Sequence, residues 1–238
     1  MLTLVVRVEK GGRPAQTDAC ETAARAVLAI LADERSSGDG EWAEAMGAWQ
    51  DDRIRKIVKR ARGAEWRRCE ALQGITVTGH GIRSGESADA TAAGESPSVG
   101  GGGLAVAEVR VFPPVPVDDV PVDLAKLQVS GTDFEDPEEL PAPEPGVPVL
   151  WVNPGLEMSS GKAMAQCGHA AHLAWWALSD EARKEWEAAD FALAVRTASP
   201  AQWQELLTSG LPVVQDAGFT EVAPGSRTVI AAHPLLTR

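Results

Sequence analysis

The sequence predicts an α/β protein whose C-terminal part is a mixed four-stranded sheet with helices on both faces. A second α/β half precedes it, either as a degenerate copy of that domain or as an unrelated extension. Three observations lead there. Short β-branched apolar runs alternate with longer stretches whose apolar residues recur at helical spacing. From residue 149 the order reads β-α-α-β-α-β-β, which closes into one sheet with helices packed on it. The chain also opens on an apolar run, LTLVVRV at 2–8, again followed by helical spacing.

Residues 2–8 read as a buried strand because nearly every position is apolar and several are β-branched. Thr17 or Asp18 is placed to cap the next segment, where Ala23, Ala24, Val27, Leu28 and Leu31 share a helical face. A second helical stretch is expected after Gly38-Asp39-Gly40, running to about Leu72 with a break near Gly63. Ile75 and Val77, then Val106, Val109 and Val111, predict two short strands. Between them, residues 79–103 are mostly Gly, Ser, Ala and Thr, and a mobile loop is expected because they bury too little to offset their ordering entropy.

In the C-terminal part, VLWVN at 149–153 predicts a strand, followed by a helix from about Ser160 to Leu178. Ser179 caps a helix over 180–189, and FALAVRT at 191–197 returns as a strand. Ser199-Pro200 combines a cap with proline at the first helical position and opens a helix to about Thr208. LPVVQD at 211–216 and RTVIAAH at 227–233 supply the last two strands.

Charge divides the chain differently from hydropathy. The net charge is −12 over 238 residues. A single base, Lys126, stands against nine acids between Asp118 and Glu144, within a proline-rich stretch that reads as an extended, solvated connector with one docked patch at Leu124–Val129. The expected organisation is therefore an N-terminal half at 1–115, an acidic linker at 116–147 and a C-terminal domain at 148–238. The acidity resides largely in the linker. By contrast RIRKIVKRARGAEWRR, residues 53–68, holds eight bases and one acid. Read as a helix, it puts Arg53, Lys56, Arg60 and Arg67 on one face and Arg55, Lys59 and Arg62 on another. Such a segment either contacts phosphates or is a solvated helix with Ile54, Ile57 and Val58 turned to the core.

Other classes are excluded by what the chain lacks. No apolar run reaches the roughly 18 residues of a membrane span, and Met1-Leu2-Thr3 runs directly into strand rather than into a signal peptide. Cys20, Cys69 and Cys167 are odd in number and scattered, so a reducing cytoplasm is expected rather than a disulfide framework. Cys167, His169 and His172 share a helix, yet no partner cluster completes a structural zinc site, and no metal is expected. Trp175 and Trp176 read as core and interface anchors.

Two motifs carry a resemblance. SGKAMAQCGHAA at 160–171 and DAGFTEVAPGSRTV at 216–229 resemble the two signatures of the second type of peptidyl-tRNA hydrolase, the class of archaea and eukaryotes. The likeness spans about 90 residues, nearly that whole family domain. It implies a peptidyl-tRNA hydrolase II-like fold and cleavage of the ester between a peptide and the 3′ ribose of tRNA, with no cofactor. An activated ester needs a positioned water, an orienting group and donors for the developing oxyanion. The resemblance assigns those tasks to Lys162, which offsets oxyanion or phosphate charge, and to Asp216, which orients Lys162 or polarises water. Thr220 and Thr228 hold the water or bond the ribose, and Gln166, His169 and Gly218 contact substrate, His169 alternatively being a packed residue. The expected partner is tRNA, held in part by the basic segment. The expected assembly is a monomer with an intrachain pseudo-dimer, or a homodimer.

Four departures accompany the match. Phe219 stands where that family carries Arg or Lys, Glu221 where it carries Gln, Ser160 in place of a lysine and Gly168 in place of Ser or Ala. The ending HPLLTR is short. These changes remove positive charge near the site, and they leave two further readings open: a non-catalytic RNA- or protein-binding descendant of the fold, or a hydrolase of another aminoacyl-tRNA ester.

Overall fold

The structure, a computed structural model, describes residues 1–82 and 104–236. The greater part of the loop expected at 79–103 lies outside the described residues.

The N-terminal half begins with strand β1 (Leu2–Arg7), helix α1 (Gln16–Ala32) and helix α2 (Ala43–Asp51). Strand β2 (Lys56–Ala61), helix α3 (Gly63–Glu70), strand β3 (Ile75–Thr78) and strand β4 (Glu108–Val111) complete it. The sheet runs β2-β1-β4-β3, with β1 parallel to β2 and antiparallel to β4. Helix α4 (Val122–Ala125) lies in the connecting strap. The C-terminal half is strand β5 (Val149–Val152), helix α5 (Ser160–Ala177), helix α6 (Asp180–Ala188), strand β6 (Ala194–Thr197), helix α7 (Pro200–Leu207), strand β7 (Val213–Gln215) and strand β8 (Arg227–Ala232). Its sheet runs β6-β5-β8-β7, with β5 parallel to β6 and antiparallel to β8. The two halves thus repeat one strand order and one pattern of direction.

One expectation fails outright. Residues 53–68 are not a helix: Lys56–Ala61 pairs in parallel with Leu2–Arg7 as the edge strand of the sheet, and only the part from Gly63 is helical. Ile57 and Val58 at its centre are β-branched and favour the pleated surface, and β1 offers a free edge to pair with. Ile54, just ahead of it, sits at φ 41°, a conformation no helix could propagate. The expected cap of α1 is also corrected. The N-cap position is Ala15, without a side-chain acceptor, and Asp136 of the strap caps the helix from outside by accepting from Thr17 N at 2.7 Å and Thr17 Oγ1 at 2.8 Å. Ser159, Ser179 and Ser199 cap α5, α6 and α7 with their own hydroxyls.

Both sheets turn one face toward a shared core, in which Leu4, Val27 and Val109 from one half meet Leu150, Met164 and Val229 from the other. At its centre α1 packs on α5. The approach is close at Gly168, where an added Cβ would lie 3.0 Å from Val27 Cγ2. The outer faces are covered locally: Trp66 of α3 with Leu124 and Leu127 of the strap over β1, and Trp203 of α7 over Ile230. The strap is docked at more than the one patch expected. Beyond Leu124 and Leu127, Phe134 is buried in the shared core and its backbone N–H donates to Ser160 Oγ at 2.8 Å.

Candidate functional site

The first turn of α5 and the loop after β7 meet at one end of the C-terminal sheet. Ser159 closes the helix start by accepting from Lys162 N at 3.2 Å. Its own N–H and hydroxyl donate to Glu221 at 2.7 Å each, which ties the helix to the loop. The loop itself needs Gly218. Its φ is 78°, and a Cβ there would fall 2.5 Å from Pro224.

This framework brings five of the predicted side chains into one network. Lys162 Nζ donates to Asp216 Oδ2 at 2.6 Å and to Thr220 Oγ1 at 3.0 Å. Gln166 Nε2 donates to the same Asp216 oxygen at 2.9 Å, while Gln166 Oε1 accepts from Thr228 Oγ1 at 2.6 Å. The Gly218 N–H donates to Asp216 Oδ1 at 2.7 Å. Lys162 and Asp216 keep only 11% and 10% of their side chains exposed, so this pair is shielded rather than a loose surface contact. Burial opposes the Asp216 charge, but the donors from Lys162, Gly218 and Gln166 outweigh it and hold the carboxyl below its usual range. The site therefore keeps an ammonium and a carboxylate fixed side by side.

The network faces a cavity of about 430 Å³. One wall is Lys162, Gln166, His169 and Asp216; the opposite wall comes from the N-terminal half, with Arg55 and Lys56 prominent. Here sequence reasoning was incomplete. Lys56 Nζ lies 3.4 Å from His169 Nδ1 and 3.1 Å from His172 Nδ1, and the Arg55 guanidinium lies 4.7 Å from the centre of the exposed Phe219 ring. Arg55 thus sets a positive charge against the position where the motif has lost one. The clue available in sequence was the i, i+3 pair His169 and His172 on one helix face, but a helical reading of 53–68 concealed what faced it.

The predicted tRNA contacts separate by location. Arg53 and Arg55 are exposed at the cavity, and Arg62 and Arg67 are exposed elsewhere. Lys59 is buried and donates to the Leu124 and Ala125 carbonyls at 2.8 and 3.3 Å, so it holds the strap and offers nothing to a phosphate. Arg60 is likewise engaged with the strap at Ser130 O and Gln128 Oε1. These residues do not share helical faces: 56–61 is a strand, whose alternate residues point to opposite sides, and Arg67 belongs to a separate helix.

Comparison with known proteins agrees with the region the motifs mark. Residues 147–237 match the family model for peptidyl-tRNA hydrolase PTH2. A curated protein named peptidyl-tRNA hydrolase 2, mitochondrial, from Bos taurus is 41% identical over 96 residues, covering 36% of this chain and 54% of that protein. Its namesake from Homo sapiens is 34% identical over 99 residues, again covering 36% of this chain and 54% of the relative. The chain spans about half the length of these curated relatives. The stretch that folds as the second sheet, residues 147–237, is a peptidyl-tRNA hydrolase PTH2 domain.

Proposed function

We propose that this protein hydrolyses the ester between a peptide and the 3′ ribose of tRNA, using the cavity at Lys162 and Asp216. The observation that carries this reading is the shielded Lys162–Asp216 pair with Thr220, Gln166 and Thr228 around it, inside the family-matched region and open to a cavity. In this reading Asp216 and the threonine hydroxyls orient the attacking water. Lys162 faces the carbonyl oxygen as negative charge develops on it. A fixed ammonium in a partly dry cavity stabilises that charge without reorganising, which is where most of the acceleration arises. The leaving ribose oxygen takes a proton from solvent or from the same network.

The cavity-lining residues Arg53 and Arg55, neither of them in an ion pair among the described residues, are proposed as phosphate contacts for the tRNA end. Neutralising both should flatten the dependence of log affinity on log salt by about 1–2 in slope. The proposed assembly is a single chain whose two halves stand as a fused pair, and the proposed compartment is the cytoplasm, from three buried cysteines that form no disulfide. Among the described residues no helix is long and apolar enough to cross a membrane. The matched relatives carry mitochondrial in their names, so fractionation of cells expressing the chain is the deciding measurement.

The functional test uses purified full-length protein with N-blocked aminoacyl-tRNA and with unblocked aminoacyl-tRNA. Release of the blocked residue is expected, and loss of that release in Lys162→Ala. Release from the unblocked substrate alone would move the reading to another aminoacyl-tRNA ester, and release from neither would leave a binding descendant of the fold.

A further inference from the structure

The N-terminal half meets α5 at the cavity through hydrogen-bonding groups. Lys56 Nζ lies 3.3 Å from the Ile54 carbonyl, 3.1 Å from His172 Nδ1 and 3.4 Å from His169 Nδ1, with the Trp49 ring centre 4.8 Å away. Among the described residues no carboxylate pairs with it. The Ile54 carbonyl is delivered to it by a β-branched residue held at φ 41°, a strained conformation of the kind retained where a site requires it.

The proton positions follow one from another. Trp176 Nε1–H donates to Gln50 Oε1 at 3.0 Å, which assigns that amide atom as the acceptor. His172 Nε2 faces the same oxygen at 3.4 Å, so Nε2 carries the proton and Nδ1 keeps a lone pair. Lys56 donates to that lone pair and to the Ile54 carbonyl, which can only accept. Its third hydrogen faces His169 Nδ1, which makes that nitrogen an acceptor too. The His169 proton is then on Nε2, which has no hydrogen-bond partner among the described residues, on a side chain that lines the cavity beside Lys162 and Gln166.

We propose that Lys56 is a positioning residue of the site: supplied by the N-terminal half, it fixes His169 as the Nε2–H tautomer, so that a neutral imidazole offers a hydrogen bond to an oxygen of the bound ester. The identity of that ester rests on the hydrolase reading above, whereas the tautomer is a property of the folded chain alone. Burial first, then the charge of Lys56, keeps His169 neutral by pushing its pKa well below the usual imidazole range. The other ionisable groups around it are His172 and Lys162 on α5, Arg53 and Arg55 ahead of β2, the Met1 amino terminus, and Asp216 and Glu221 on the loop after β7. Burial also pushes Lys56 well below the ordinary lysine range.

The experiment is a long-range 1H–15N correlation spectrum of the full chain with 15N-labelled histidine, the His169 signals being assigned by their loss in His169→Gln. The expected result is a neutral Nε2–H tautomer in the wild type at neutral pH and its loss or mixing in Lys56→Met, with a melting curve confirming that the variant folds. With N-blocked aminoacyl-tRNA, Lys56→Met should lower kcat by roughly tenfold to a hundredfold while KM changes little. His169→Gln, whose amide puts a donor where Nε2–H was, should retain more activity than His169→Asn. A wild-type Nδ1–H tautomer, or a tautomer unchanged in folded Lys56→Met, overturns the proposal. The expected tautomer in a chain that releases nothing from any aminoacyl-tRNA would instead overturn the hydrolase reading, and with it the ester as the donor's target.

Discussion

At the third residue of its central helix the C-terminal half carries Lys162, and the N-terminal half carries Asp18. Each reaches the loop that follows the third strand of its own sheet. In both loops the third residue past the strand is a glycine at positive φ, Gly218 at 78° and Gly81 at 69°. What differs is who supplies the charge. Lys162 meets the side chain of Asp216, leaving an ammonium and a carboxylate partly open to a cavity. Asp18 is buried and accepts from backbone, from Gly81 N at 3.1 Å and Ala107 N at 2.7 Å. One junction is an ion pair at a cavity; the other is a closed clamp in which both carboxylate oxygens of Asp18 are used within the fold. The same architecture therefore supports a site or a staple, according to one helix position and the loop opposite it.

The sharpest way to break this comparison is to alter both positions. Lys162→Ala should lower kcat by about 10²–10³, the size of an oxyanion donor, and should also cost stability, because it leaves the shielded Asp216 carboxylate without its cation. Asp18→Ala should cost stability alone. It strands the Gly81 and Ala107 N–H groups and should lower stability by about 2–3 kcal/mol in urea unfolding, while activity per folded molecule is kept. Loss of activity without loss of stability in Asp18→Ala would mean the clamp is not merely structural.

A smaller effect sharpens the comparison through pH. His169 and His172 lie in the C-terminal half and both have folded pKa values below 6.5, His172 lowered to about 2, chiefly by burial and then by Lys56. Below pH 6.5 the unfolded chain binds protons that the folded chain refuses, so stability is full above that pH and declines as pH falls. The limiting slope for two such groups is about 2.7 kcal/mol per pH unit. Asp216, also lowered, contributes stability present above its unfolded value and lost as pH falls through its folded one, so it acts in the same direction. Urea midpoints between pH 7 and 5 should show the decline, and His172→Phe should reduce it. The smallest expected change is at the contact between halves. Gly168→Ala places a Cβ against Val27, and the crowding should exceed the helix-propensity gain, lowering stability by about 1 kcal/mol.

Much of this was legible in the sequence where local and tertiary signals agree. The order β-α-α-β-α-β-β, the caps Ser179 and Ser199, and the meeting of Lys162, Gln166, Asp216, Thr220 and Thr228 all follow from strong periodicity and two long motifs. The misreading of 53–68 has a physical origin. Its charges suggested a solvated helix, but Lys59 and Arg60 are spent on strap carbonyls and Lys56 turns inward, so a charge pattern was read as exposure. Nor could local sequence foresee Asp136 capping a helix more than a hundred residues away, or Lys56 facing His169, since both depend on how the halves dock.

The strap over residues 112–148 has a consequence of its own. Two separate subunits dissociate on dilution, and each substitution in a symmetric pair is made twice, once in either copy. A covalent connection docked at Leu124, Leu127 and Phe134 holds the partners at a fixed effective concentration, whatever the amount of protein present. It also lets each position change alone. A half-buried lysine such as Lys56 can then be placed on one side of the contact without its twin on the other, which is the freedom an asymmetric molecule has and a symmetric dimer lacks.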